Sequence, residues 1–162
     1  MLTLAPRTPL CAPDIVIQNV TGLCSVKVAA IVTPETTAQV ALEISRWPGK
    51  VAIGGGRYSM GGQVAIAGGL HIDMRTMNNL VAVDAKGRVA RVQAGMRWRD
   101  LQEFFDPLGL AVKTMQGYAN FTIGGAVSVN AHGRYVENGP VGNSVRALQL
   151  VLADSSIVQP SR

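Results

Sequence analysis

Residues 54–63, Gly-Gly-Gly-Arg-Tyr-Ser-Met-Gly-Gly-Gln, put five glycines into ten positions directly after a short apolar run, Lys50-Val51-Ala52-Ile53. The run reads as a buried strand. Glycine loses more conformational freedom on folding than any other residue, so a cluster at a strand end marks backbone that turns tightly or passes close to something bulky. A phosphate group is the first candidate.

Two phosphate loops can be compared letter by letter. Gly56 and Gly61 have the spacing of Gly-x-x-x-x-Gly-Lys-Ser/Thr, but Gly62 stands in the lysine position and Gln63 in the hydroxyl position. Gly54 and Gly56 begin the fingerprint Gly-x-Gly-x-x-Gly, but Ser59 takes its third place and no clear helix follows. Asp73, nearly twenty residues on, falls in the next strand. What remains is a loop whose successive N–H groups could nest around an anion, with Tyr58, Ser59 and Gln63 adding donors. On this stretch alone, a plain glycine-rich turn stands equally well.

A chain of 162 residues is one domain or one lobe of a larger one, and it can bury about 70% of its unfolded surface. With 15% charged residues and a mean hydropathy of +0.22, some apolar surface is expected to meet a partner lobe. The net charge of +5 is scattered rather than clustered, and 5% aromatics provide no stacking platform, so nucleic acid is excluded as a partner. A phosphorylated small molecule suits the same balance. Cys11 and Cys24 make no disulfide framework or metal group. Prolines 6, 9 and 13 break any signal-peptide core, and no run reaches transmembrane length, which predicts a soluble, cytoplasmic chain.

Residues 1–25 read as an irregular leader and 26–162 as the domain. A strand is expected within 25–34, then a helix over 33–47 with Thr33 as cap and Pro34 at its first position. With the strand 50–53 this makes a βαβ unit with a parallel crossover. Strand-like runs follow at 68–74, 80–95 and 111–115, with a hairpin turn at Asp84–Gly87. Trp98, Leu101, Phe105 and Leu108 recur at helical spacing, stopped by Pro107 and Gly109. A last strand is expected at 147–154. The fold class is α+β: a parallel βαβ lobe followed by a mixed or antiparallel lobe.

A second stretch, residues 116–145, carries another glycine pair, Gly124 and Gly125, among Thr122, Ser128, Asn130, His132 and Gly133. Two separate glycine- and hydroxyl-rich segments with little charge imply a long ligand threaded between two lobes. A pyrophosphate-bridged dinucleotide held by backbone amides fits that description.

The blocks GGGRYSMGGQ, IDMRTMNNLVAVD, VQAGMRWRDL, TIGGAVSVNAHG and GPVGNSVRALQLVLAD, in this order between residues 26 and 154, resemble the FAD-binding domain of the vanillyl-alcohol oxidase / p-cresol methylhydroxylase family. The resemblance implies FAD between the lobes, with Gly54, Gly55, Gly56, Arg57, Tyr58 and Ser59 wrapping the pyrophosphate and Met60 and Gln63 close by. It also implicates Gly117, Thr122, Ile123, Gly124, Gly125, Ser128, Asn130, Ala131, His132 and Gly133 beside the pyrophosphate and flavin ring. Asp73 and Asn78 are expected to set strand and turn geometry. His71 is expected to be an ordinary strand residue.

Many members of the family attach flavin covalently through a histidine before the loop serine. Tyr58 holds that position here, and Cys11 and Cys24 lie outside both segments, so FAD is expected to be bound non-covalently. His132 is expected to pack against the cofactor, with general-base chemistry as the second reading. The family's substrate domain is absent from this stretch of sequence, so a C-terminal lobe or partner chain is expected to supply it. The expected function is the FAD-binding part of an oxidoreductase that oxidises an alcohol-type substrate by hydride transfer to flavin. The alternatives are a non-catalytic flavin or nucleotide carrier and a truncated remnant.

Overall fold

A computed structural model describes residues 14–162, with β1 (Ile15–Gln18) as its first element. β1 lies within the stretch expected to be irregular and pairs antiparallel with β2 (Ser25–Val28). The single strand expected over 25–34 is thus two. β2 closes the hairpin, and β3 (Ala30–Val32) joins a different sheet.

The helix α1 (Thr37–Arg46) begins three residues later than the Thr33 cap implies. Thr36 is its N-cap: its hydroxyl accepts from the Gln39 amide at 3.2 Å, while the Gln39 side chain accepts from the Thr36 amide. This reciprocal capping box satisfies two amide donors that the first turn would otherwise leave free. β4 (Val51–Gly54) follows and leads into the glycine loop.

β3 and β4 are parallel but do not touch. β5 (Leu70–Asp73) lies between them, parallel to both, so the order is β3-β5-β4. The expected parallel crossover is therefore completed by a strand assigned from sequence to the second lobe. Alternation along β5 sends Leu70 and Ile72 to the side of α1, where they pack with Val40 and Met77. His71 and Asp73 point to the opposite face, under the glycine loop.

The second half packs a hairpin onto two helices. β6 (Leu80–Asp84) and β7 (Val89–Val92) pair antiparallel, and the Asp84 carboxylate accepts from the Gly87 amide at 2.8 Å across the turn. Their inner residues cover α2 (Trp98–Phe105) and α3 (Ile123–Ser128) in a core of Met96, Trp98, Leu101, Phe105, Ile123, Ala126 and Val141. Pro107 sits in a 3₁₀ turn after α2, and Gly109 ends it at φ 64°; Leu108, expected on the buried face, is half exposed. Residues 111–115 form no strand. The last expected strand shrinks to β8 (Leu150–Val151), paired with β9 (Ile157–Val158). The architecture is mixed α+β, one parallel sheet with antiparallel hairpins and few helices. No helix among the described residues is long and apolar enough to cross a membrane.

Candidate functional site

The two glycine-rich segments meet. A Cβ on Gly55 would overlap the Thr122 hydroxyl, and one on Gly56 would come within 2.9 Å of the Tyr58 ring and 3.6 Å of the Asn120 carbonyl. The contact is closed above by an aromatic cluster: Tyr58 meets Phe121 edge-on at 4.8 Å and Tyr118 at 5.4 Å. Only residues without a side chain allow the loop after β4 to come this close to the start of α3.

Between Gly56 and Met60 the backbone is open. None of these five consecutive amides donates to a backbone or side-chain acceptor among the described residues. Their carbonyls, by contrast, tie the loop down: Val20 donates to the Arg57 carbonyl at 2.9 Å and the Asn19 side chain to that of Met60 at 2.7 Å. A run of unsatisfied N–H groups on an anchored turn is the arrangement that cradles an anion. Ser59 and Met60 at its tip are exposed. Gln63 stabilises the end of the loop by accepting from the Gly61 amide at 2.9 Å.

Arg57 turns inward. It adopts φ 62° and donates through Nη2 to Asp73 at 2.7 Å, with Asp73 3% exposed. Asp73 also accepts from the Arg75 side chain and from its amide, capping the 3₁₀ turn after β5. Burial raises the Asp73 carboxyl, but the hydrogen bonds and charge of Arg75 and the charge of Arg57 outweigh it and hold the group below the usual carboxylate range. His71 is sealed beneath Gly54, and burial, followed by the Arg57 charge, pushes its imidazole below the usual histidine range.

The second segment is divided. Ile123 and Gly124 spend their amides on the Met96 and Ala94 carbonyls, both at 2.8 Å, and Gly124 fits directly against Ala94. The Ser128 hydroxyl bonds back to the Gly124 carbonyl at 2.7 Å, and the Asn130 side chain, at φ 45°, accepts from the Gly142 amide at 3.0 Å. Gly125 borders Thr122, whereas Ala131 is held in backbone pairing with Ala126 and Val141. Gly133 packs on the Met115 carbonyl, and His132 is exposed. Gly117 lines a shallow cleft of about 220 Å³ with Met115, Gln116, Arg134 and Tyr135.

The sequence reading gives no role to Asn120, Tyr118 and Phe121, and it treats His71 as an ordinary strand residue although it lies sealed under Gly54. The first three lie in the quoted stretch 116–145, and aromatics three apart beside a glycine-rich segment were an available signal. Cys24, distant from the loop in sequence, is close to it in space: a Cβ on Gly62 would lie 3.4 Å from that of Cys24.

Residues 28–161 match the FAD binding domain family, and the chain belongs to it. It is 34% identical over 110 residues to decaprenylphosphoryl-beta-D-ribose oxidase of Mycolicibacterium smegmatis, covering 67% of this chain and 24% of that protein. It is 30% identical to mouse L-gulonolactone oxidase over 112 residues, 69% of this chain and 25% of that one. With cytokinin dehydrogenase 2 of Arabidopsis thaliana the identity is 25% over 147 residues, 87% and 29% respectively. The chain thus spans about a quarter of the length of these relatives. The cofactor is FAD, and the family is one of flavin-dependent oxidases and dehydrogenases.

The glycine cradle fits this cofactor. Gly55 and Gly56 let the loop close on Thr122 and the Tyr58 ring, and the five open amides from Gly56 to Met60 match the charge of a pyrophosphate without a lysine.

Proposed function

We propose that this chain holds the FAD of a flavin-dependent oxidoreductase of the vanillyl-alcohol oxidase / p-cresol methylhydroxylase type, acting on an alcohol-type carbon. The observation that carries the reading is the run of open amides from Gly56 to Met60, set against the Gly55–Thr122 contact. In this reading the loop amides and Ser59 hold the pyrophosphate, and Thr122, Gly125 and the Tyr58–Tyr118–Phe121 cluster border the cofactor's path. Bound FAD supplies the hydride acceptor. Arg57 serves the loop through Asp73 rather than by direct contact. Groups that recognise substrate come from polypeptide outside this sequence or from a partner chain.

FAD is bound non-covalently in this reading, because the Tyr58 phenol occupies the place of the linking histidine. The test is to incubate the purified chain with FAD, desalt it, record the visible spectrum and precipitate with acid. Flavin bands that move to the supernatant are the expected result. A yellow pellet would contradict non-covalent binding, and Cys24→Ser would then show whether the neighbouring thiol carries the link. A folded but colourless chain would overturn the reading.

A further inference from the structure

His71 is fully buried, and neither ring nitrogen has a hydrogen-bond partner among the described residues. Buried polar atoms are paired in nearly all native sites, so a wholly enclosed, unpaired imidazole calls for an explanation. Its ring is the floor of the glycine turn. A Cβ on Gly54 would come within 2.7 Å of Nε2, so the first glycine of the loop rests directly on the ring. The charged groups around it are Arg57 from the loop, Asp73 from β5 and Arg75 from the turn after β5. β3, β4 and the Val64–Ile66 stretch contribute none. Asp73 is already engaged by both arginines, which leaves no free anion to receive an imidazolium.

We propose that His71 is a positioning residue for the cofactor loop: the neutral ring supports the Gly54–Arg57 backbone in its receptive shape, and protonation undoes that support. The inference rests on the loop's assignment to FAD. The ring meets the Gly54 backbone and the backbone of Val64, whose influence favours the charged form but is outweighed by burial. Gly54 lies directly on the ring, so hydrating a charged imidazole displaces the glycine turn, the element that presents the open amides. Flavin affinity therefore falls as the ring becomes charged. FAD's pyrophosphate gains no proton near neutral pH, so the slope belongs to the protein.

The test is the FAD dissociation constant of the full 162-residue chain between pH 5 and pH 8, measured by fluorescence for wild type and His71→Leu. Wild-type affinity is expected to be flat at the upper end and to weaken by up to about tenfold per pH unit below the histidine range, the slope of one linked proton. His71→Leu is expected to lose that slope. Equal slopes in the two proteins, or a flat wild-type profile, would overturn the role of His71. If His71→Leu does not fold, nitrogen-15 imidazole NMR of the wild type decides. Bound FAD must lower the titration midpoint of His71, by reciprocity of linkage, and an unchanged midpoint overturns the inference. Absence of flavin binding at every pH would instead overturn the loop's assignment, and this inference with it.

Discussion

Arg57 and Asp73, sixteen residues apart, are joined by a 2.7 Å charge-assisted hydrogen bond beneath the glycine loop. The pair fastens the loop to the central strand of the parallel sheet. It also accounts for the left-handed backbone of Arg57, a conformation that costs about 1 kcal/mol or more in a residue with a Cβ. Removing Asp73 leaves the largely buried Arg57 without its acceptor, while Arg75 is half exposed and free to turn to solvent. Asp73→Ala is expected to destabilise the fold by about 1.5–3 kcal/mol, the scale of losing charge-assisted hydrogen bonds at a partly buried site. Arg57→Ala should cost less, because Arg75 still neutralises Asp73. Urea denaturation of the two variants checks the order; equal losses would contradict it.

The glycines divide by surroundings. A Cβ on Gly124 would sit 2.8 Å from that of Ala94 and 2.9 Å from its carbonyl, whereas one on Gly117 meets nothing closer than Arg134 at 3.5 Å. Gly124→Ala is expected to lose about 1–3 kcal/mol through overpacking, and Gly117→Ala to change stability little. Thermal melts of both variants without cofactor separate them.

Stability should also carry a pH signature with two limbs. His71 has a depressed folded value, so its unfolded ring binds the proton more readily. The contribution is intact above about pH 6.5 and falls by about 1.4 kcal/mol per unit below it, until the folded ring titrates. The depressed Asp73 carboxyl acts further down: its stabilisation is present above about pH 3.9 and is lost as pH falls through its folded value. Denaturant titrations from pH 4.5 to 8 read the first limb. His71→Leu should abolish it without altering the Asp73 limb.

The parts legible in the sequence are those decided locally. The hairpin at Asp84–Gly87 is closed by a carboxylate three residues from its amide, and α2 declares itself by Trp98, Leu101 and Phe105 on one face. β5 was misplaced because a buried strand reveals its alternation but not its partners. Pairing with β3 and β4 is settled across the intervening chain. Residues 111–115 have the strand pattern without a neighbour to pair with. At the site, the glycines mark the loop, but the inward turn of Arg57 depends on Asp73, and the load borne by His71 depends on Gly54. Neither pairing leaves a trace in local pattern.

A helix cap offers a smaller check on the same logic. Thr36 holds the first turn of α1 through Gln39, so Thr36→Ala is expected to cost about 1 kcal/mol. Thr33→Ala, at the position that composition alone favours, should cost clearly less. Equal effects in thermal unfolding would move the start of the helix.

The central claim is that FAD lies in the cradle formed by the first loop and Thr122. Calorimetric titration of FAD into wild type and Gly55→Val tests it most directly, because the added side chain fills the Gly55–Thr122 contact. Saturable binding by the wild type, lost or weakened at least tenfold in a variant whose circular dichroism is unchanged, is the expected result. A folded Gly55→Val chain that binds FAD as tightly as wild type would place the cofactor elsewhere.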